Sequence, residues 1–166
     1  MSRFDTQSLY FAYGSNLWLQ QMKLRCPGSK FVGIATLRDW KWIINTRGFA
    51  NIVPSDGDIV HGMIFELIPH DEDKLDRYEG VPRAYIKRTI PVEFIGDTGY
   101  GVNIEGTTFI DALVYIDEIR VADGVPKAEY IGRINMGILD ALQSGIPRTY
   151  VDEYLRRFIP ADSLAN

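Results

Sequence analysis

Apolar residues in this chain gather into short runs over most of its length, then settle into a three-to-four-residue rhythm beyond residue 126. Ser8-Leu9-Tyr10-Phe11-Ala12-Tyr13 is an apolar and aromatic run stopped by Gly14, which predicts a buried strand. Residues 16–22 hold few breakers and precede Pro27-Gly28, so they predict a short helix. Two β-rich runs, 31–37 and 40–45, flank Arg38-Asp39 and predict a tight hairpin. Residues 47–58, rich in Gly, Asn, Pro, Ser and Asp, read as a loop. Strand character returns at 59–68, with Val60, Gly62, Ile64, Glu66 and Ile68 on one face and His61, Met63, Phe65 and Leu67 on the other.

Residues 71–79 predict a short helix whose acidic first turn suits the positive end of the helix dipole. Gly80 and Pro82 supply its stop signal. Two further strands, 85–95 and 107–116, are joined by a glycine-rich connector at 96–106. Tyr130, Ile131, Ile134, Ile138, Leu139 and Leu142 then mark an amphipathic helix ending near Gly145. Pro147 opens a last helix through Val151, Tyr154, Leu155 and Phe158. No repeat or linker interrupts the pattern. The reading is an α+β protein of about six strands, with helices at intervals and two near the C-terminus. One domain over residues 1–166 is expected, with 1–7 and 160–166 as fraying ends.

Composition narrows the function classes. Eighteen Lys and Arg stand against twenty-two Asp and Glu, a net charge of −4, which argues against a partner bound through a nucleic-acid backbone. The 46% hydrophobic and 24% charged residues are those of a folded globular chain rather than a disordered one. The only cysteine, Cys26, cannot form an internal disulfide, which favours a reducing compartment. The N-terminal residues lack the apolar run of a signal peptide, and the apolar stretch at 31–37 is far too short to span a bilayer. A cytosolic location, with neither membrane nor nucleic-acid partner, is the expectation.

Familiar cofactor signatures are missing. Gly99-Tyr100-Gly101 does not complete a dinucleotide fingerprint, and no phosphate loop occurs. His61 and His70, the only histidines, do not fall into zinc-ligand spacing. Asp56-Gly57-Asp58 is too short for a calcium loop and reads as a turn. Cys26 has no neighbouring histidine to activate it. An enzyme built on this chain is expected to need no metal, cofactor or thiol.

Two places carry chemistry. At Tyr13-Gly14-Ser15-Asn16-Leu17 a strand stops on a glycine, and two residues of the capping type precede a helix. Free N–H groups there can converge on an anion, although an ordinary strand–cap–helix junction would read the same. The second place is Leu75-Asp76-Arg77-Tyr78-Glu79-Gly80-Val81-Pro82, where Glu79 lies one turn after Leu75 and beside Tyr78 on the presumed inner face. The negative helix end and partial burial would both raise its pKa and make it a better proton acceptor near neutrality. A solvated glutamate paired to Arg77 or Arg83 is the plainer alternative.

Together these segments resemble the γ-glutamylcyclotransferase family, also called AIG2-like, marked by an N-terminal Tyr-Gly-Ser-Asn-Leu turn and a Leu-Asp-x-x-Glu-Gly segment. A third match runs from Pro126 through Tyr130, Ile134 and Gly137 to Gly145-Ile146-Pro147. The resemblance implies a small mixed β-barrel flanked by helices, with one pocket in its mouth. It implies conversion of a γ-glutamyl amide to 5-oxoproline with release of the amine. By that resemblance Glu79 is the general acid/base, while Tyr13, Gly14, Ser15, Asn16 and Leu17 cradle the γ-glutamyl part and Tyr85 and Tyr130 line the pocket. The implied partner is a small γ-glutamyl molecule, and because relatives include dimers and monomers a homodimer is compatible. The turn resembles that of the branch acting on γ-glutamyl amino acids more than those of the glutathione-specific or γ-glutamylamine branches. A γ-glutamyl thiol adduct, a natural-product intermediate or a non-catalytic ligand-binding role are the competing readings. The rim that would choose the leaving group is expected at 47–58, 83–85 and 96–106.

Overall fold

The computed structural model describes residues 7–161; the outermost residues of the ends expected to fray, 1–6 and 162–166, lie outside the described residues. Five strands close into a barrel: β1 (Ser8–Ala12), β2 (Lys30–Ile44), β3 (Ala50–Leu67), β4 (Ile86–Gly96) and β6 (Thr107–Ile116). A sixth, β5 (Val102–Ile104), adds to the outer edge of β6. Hydrogen bonding runs β1-β3-β2-β4-β6 and returns to β1 through a parallel pairing, Tyr10 opposite Leu113. The other pairings are antiparallel, which makes the barrel mixed. Strand β3 is buried on both faces from Met63 to Leu67, so its sequence reads as a nearly unbroken apolar run.

Helices cover the barrel: α1 (Leu19–Arg25), α2 (Pro69–Tyr78) and α3 (Ala128–Gln143). Near the C-terminus α4 (Arg148–Tyr150) continues as a wider π turn, Val151–Leu155. Of the stripe expected on α3, Tyr130, Ile134 and Ile138 are buried and Ile131 and Leu142 half-buried, whereas Leu139 turns outward, 57% exposed, and Ala141 takes an inner place. Burying each such aliphatic side chain stabilises the fold by roughly 1.5–3 kcal/mol. Gly137 lets α3 approach the turn after β1 closely, because a Cβ there would lie 3.0 Å from that of Leu17. At the C-terminal end Pro160 is held, its carbonyl accepting a 3.0 Å bond from the Asn135 amide. No helix among the described residues is long and apolar enough to cross a membrane.

Three local expectations need correction. Residues 31–37 and 40–45 do not form a hairpin of their own; they belong to β2, whose continuity survives a bulge at Asp39 with φ 67°. Aspartate tolerates that left-handed backbone, so a turn signal serves here as a bulge signal. The polar stretch 47–58 is a loop only in part, because β3 starts at Ala50. Pro54 pairs with Trp40 and Ile59 with Arg38, which leaves 55–58 without partners on β2, opposite the bulge. There the Gly57 N–H donates to the Asp39 carboxylate at 3.0 Å. The hairpin joining β2 and β3 is therefore 45–49. Finally, the helix expected at 16–22 is two pieces, a 3-10 turn at Ser15–Leu17 and α1, parted by Trp18 in an extended conformation. Asp140 on α3 accepts the Leu19 N–H at 2.9 Å, so α1 starts on a carboxylate from another helix.

Candidate active site

A cavity of about 250 Å³ opens where the turn after β1, the end of α2, the start of β4, the 45–49 hairpin and α3 meet. Tyr13, Gly14, Ser15, Asn16, Glu79, Tyr85 and Tyr130 all line it. Leu17 does not: it is 2% exposed and packs toward Gly137 in the core.

The turn is built by its own polar side chains. Tyr13 donates its hydroxyl to the Tyr115 carbonyl at 2.6 Å, and its carbonyl accepts the Trp42 indole at 2.9 Å. Ser15 and Asn16 are not helix caps. Their side-chain oxygens accept both hydrogens of the Gln21 amide at 2.9 Å, while Asn16 donates to the Tyr10 hydroxyl at 3.0 Å. Within the turn the Leu17 N–H bonds back to the Gly14 carbonyl at 3.0 Å. The Ser15 and Asn16 N–H groups have no acceptor among the described residues, as the first groups of a helical turn lack one. Gly14 is needed for space rather than for its backbone angle. A Cβ there would lie 3.0 Å from the Ala50 Cβ and 3.1 Å from the Tyr130 hydroxyl.

Glu79 closes α2. Its N–H bonds to the Leu75 carbonyl at 2.9 Å, the Gly80 N–H to Arg77 at 3.1 Å and the Val81 N–H to Asp76 at 3.0 Å. That pairing, with Gly80 at φ 67°, is a Schellman stop, and it fixes the residue bearing the acid at the point where the chain leaves the helix. The Leu75 side of the helix is buried as expected, but Tyr78 is 55% exposed, with the Arg25 guanidinium 4.8 Å from its ring centre. Glu79 pairs with neither Arg77 nor Arg83 among the described residues. Burial pushes its carboxyl up to about 7, against the pull of Arg25, Arg133 and Arg47. Such a group holds and releases a proton near neutral pH.

Facing it, Tyr85 donates to the Ala50 carbonyl at 2.7 Å, and the Ala50 N–H donates to the Tyr130 hydroxyl at 3.3 Å. The backbone of one residue thus anchors two phenols. Burial pushes Tyr130 up to about 12 and Tyr85 higher still, so both stay protonated and act as polar walls rather than bases.

Several lining residues escaped sequence reasoning: Tyr10, Arg25, Tyr115 and Arg133. Tyr10 and Tyr115 look like ordinary strand residues, and only the pairing of β1 with β6 brings them together, their rings 5.6 Å apart. Arg25 and Arg133 fall on helices and carry no signal beyond charge. Of the expected rim, 47, 49 and 50 and 84–85 do line the cavity, whereas 48, 51–58, Arg83 and 96–106 do not. The 96–106 segment instead carries β5, and Tyr100 in it donates a hydrogen bond to Glu66. Among the described residues no cluster of His, Cys, Asp or Glu could hold a metal ion.

The family described as Gamma-glutamyl cyclotransferase, AIG2-like matches residues 10–130. Human gamma-glutamylcyclotransferase is 36% identical over 164 residues, covering 93% of this chain and 80% of the relative. The bovine gamma-glutamylcyclotransferase is 29% identical over 153 residues, covering 86% of this chain and 74% of its own. A solved structure of a gamma-glutamyl cyclotransferase superposes with a TM-score of 0.74 at 26% identity, covering 95% of this chain and 90% of that one.

Proposed function

We infer, for a chain that belongs to the AIG2-like γ-glutamyl cyclotransferase family and is a γ-glutamylcyclotransferase, that Glu79 moves the protons of the reaction. The reaction converts a γ-glutamyl amide to 5-oxoproline and releases the amine. The substrate's α-amine attacks its own γ-carbonyl, so nucleophile and electrophile arrive in one molecule. Holding such a pair in a reactive pose can be worth about 7–11 kcal/mol, which leaves no need for an enzyme nucleophile. Glu79 takes a proton from the amine as the C–N bond forms and returns it to the leaving nitrogen as the old bond breaks. The observation that carries this reading is that Glu79 is the sole carboxylate among the described residues lining the cavity, with burial raising its pKa to about 7.

The turn after β1 supports the other half of the chemistry. The N–H groups of Ser15 and Asn16, uncommitted among the described residues, receive the γ-glutamyl part or the developing oxyanion in this reading. Tyr85 and Tyr130, both anchored on Ala50, line the cavity beside the turn. Cys26, fully buried and pushed up to about 11 chiefly by burial, is inert in this scheme, and its reduced state suits a cytosolic enzyme.

The deciding experiment is 5-oxoproline release from γ-glutamyl-alanine by the purified protein; no release from it or from other γ-glutamyl amides would end the reading. Two further results are expected. The kcat/KM is expected to rise about tenfold per pH unit up to about 7 and then level, because the base must be ionised in the free enzyme. A flat profile from pH 5 to 8 would remove Glu79 from the role of base. Gly14→Ala is expected to raise KM about tenfold, one lost hydrogen bond's worth, by pushing the Tyr130 hydroxyl aside. An unchanged KM would take the turn out of substrate binding.

A further inference from the structure

We propose that Arg47 is a specificity-determining residue that binds a carboxylate on the leaving amine, and that Asn45 is the positioning residue that holds it there. The inference rests on the reaction assigned above and adds the chemistry of the group released.

Among the described residues the cavity is lined by three guanidinium groups, those of Arg25, Arg47 and Arg133, against the single acid Glu79. Two of them are committed to the turn. Arg25 donates to the Asn16 side chain at 3.2 Å. Arg133 forms a fork with Glu129, at 3.1 and 2.7 Å, and reaches Gln21 at 3.5 Å, the residue that braces Ser15 and Asn16. Arg47 comes from a different element, the 45–49 hairpin. Among the described residues its guanidinium has no hydrogen bond or ion pair, and it meets the Phe49 ring 5.3 Å from the centroid. A γ-glutamyl group with its α-ammonium and α-carboxylate brings no net charge to such a site. A carboxylate on the leaving amine does, and a guanidinium recognises it through two parallel bonds.

The hairpin that carries Arg47 is held with unusual thoroughness. Asn45 is fully buried, and its side-chain oxygen accepts the N–H groups of Arg47 at 3.0 Å and Phe49 at 3.2 Å. Its amide donates to Asp117 at 3.0 Å, and its backbone bonds Phe49 and Gly48 across the turn. Asp117 is 2% exposed and also accepts the N–H groups of Ile119 and Arg120, each at 3.1 Å, and the Arg120 guanidinium at 3.0 Å. None of these bonds enters the cavity. What they accomplish is to fix the one segment that delivers Arg47, Phe49 and Ala50 to its wall. A buried, fully satisfied polar node of this kind specifies one backbone conformation.

The test compares 5-oxoproline release from γ-glutamyl-alanine and from γ-glutamyl-alaninamide, which has the same size but an uncharged leaving amine. Wild-type kcat/KM is expected to favour the acid by about 10–100-fold, carried by KM, the range of a charge-assisted hydrogen-bond pair. Arg47→Met is expected to bring that ratio near one, and Arg47→Lys to leave it in between. Asn45→Ala, with Asn45→Ser as the milder change should the first not fold, is expected to lower the same ratio. Neither should lower it further when combined with Arg47→Met. A wild-type ratio near one, or a ratio unmoved by Arg47→Met, overturns the Arg47 assignment; a ratio that survives both Asn45 changes overturns the positioning role. Calorimetry on the Glu79→Gln protein reads the same contact without turnover. There γ-glutamyl-alanine should bind about 10–100-fold tighter than its amide. Tighter binding without turnover in the wild type would sink the reaction and leave the contact standing, whereas equal binding would sink the contact.

Discussion

Glu79→Gln is expected to lower kcat by about 10²–10⁴-fold while leaving the KM for γ-glutamyl-alanine within about threefold of wild type. The glutamine side chain has the same shape and keeps the neutral form that burial favours, so the cavity should retain its walls. What it cannot do is accept a proton from the attacking amine. The loss should therefore fall on kcat, where an interaction made only in the transition state is felt. The residual activity should no longer rise with pH below 7, because the group that titrates there has been replaced. Steady-state kinetics across pH 5–8 check both points. Undiminished turnover would mean that another residue handles the proton, and among the described residues the cavity's lining offers no second carboxylate to do so.

The same substitution is expected to make the protein more stable at pH 8 by about 3 kcal/mol, and no more stable at pH 4. The sign follows from the raised pKa. A carboxyl at about 7 in the fold, against about 4.5 when unfolded, prefers its proton in the native state. The stability due to that preference is complete below pH 4.5 and is lost as pH rises through 7, where the native protein must hold a charge on a half-buried carboxyl. Glutamine carries no charge and escapes the loss. For a chain of this length the gain corresponds to a rise in Tm of about 6–12 °C at pH 8. Thermal unfolding of both proteins at pH 4 and pH 8 measures it. Equal midpoints at both pH values would show that the carboxyl sits comfortably in water and would contradict the basis of the mechanism. A protein that improves its fold by losing its acid has kept that acid for its work.

Much of the site could be seen in the sequence because its residues come in short local groups. Tyr13, Gly14, Ser15 and Asn16 are consecutive, and Glu79 is marked by the glycine that stops its helix. What local reading misjudged was the use of each group. Ser15 and Asn16 have the chemistry of helix caps, yet their side chains are taken by Gln21, and the cap of α1 comes from Asp140, more than a hundred residues away. Arg38-Asp39 and residues 55–58 are turn formers that serve as matched bulges in two long strands, because a strand long enough to wrap a barrel must bend. Tyr10 and Tyr115 were out of reach for another reason. Nothing near either residue says that the chain will bring the first strand beside the last.

That junction has a consequence of its own. The barrel is shut where β1 meets β6, at a parallel seam, and Tyr10 and Tyr115 stand on its two lips while also facing the cavity. A molecule lodged there lies across the closure like a clasp. Occupancy and the breathing of the cylinder are then one equilibrium, and amide hydrogens beside the seam, at Phe11 and Val114, should exchange more slowly once the clasp is fastened.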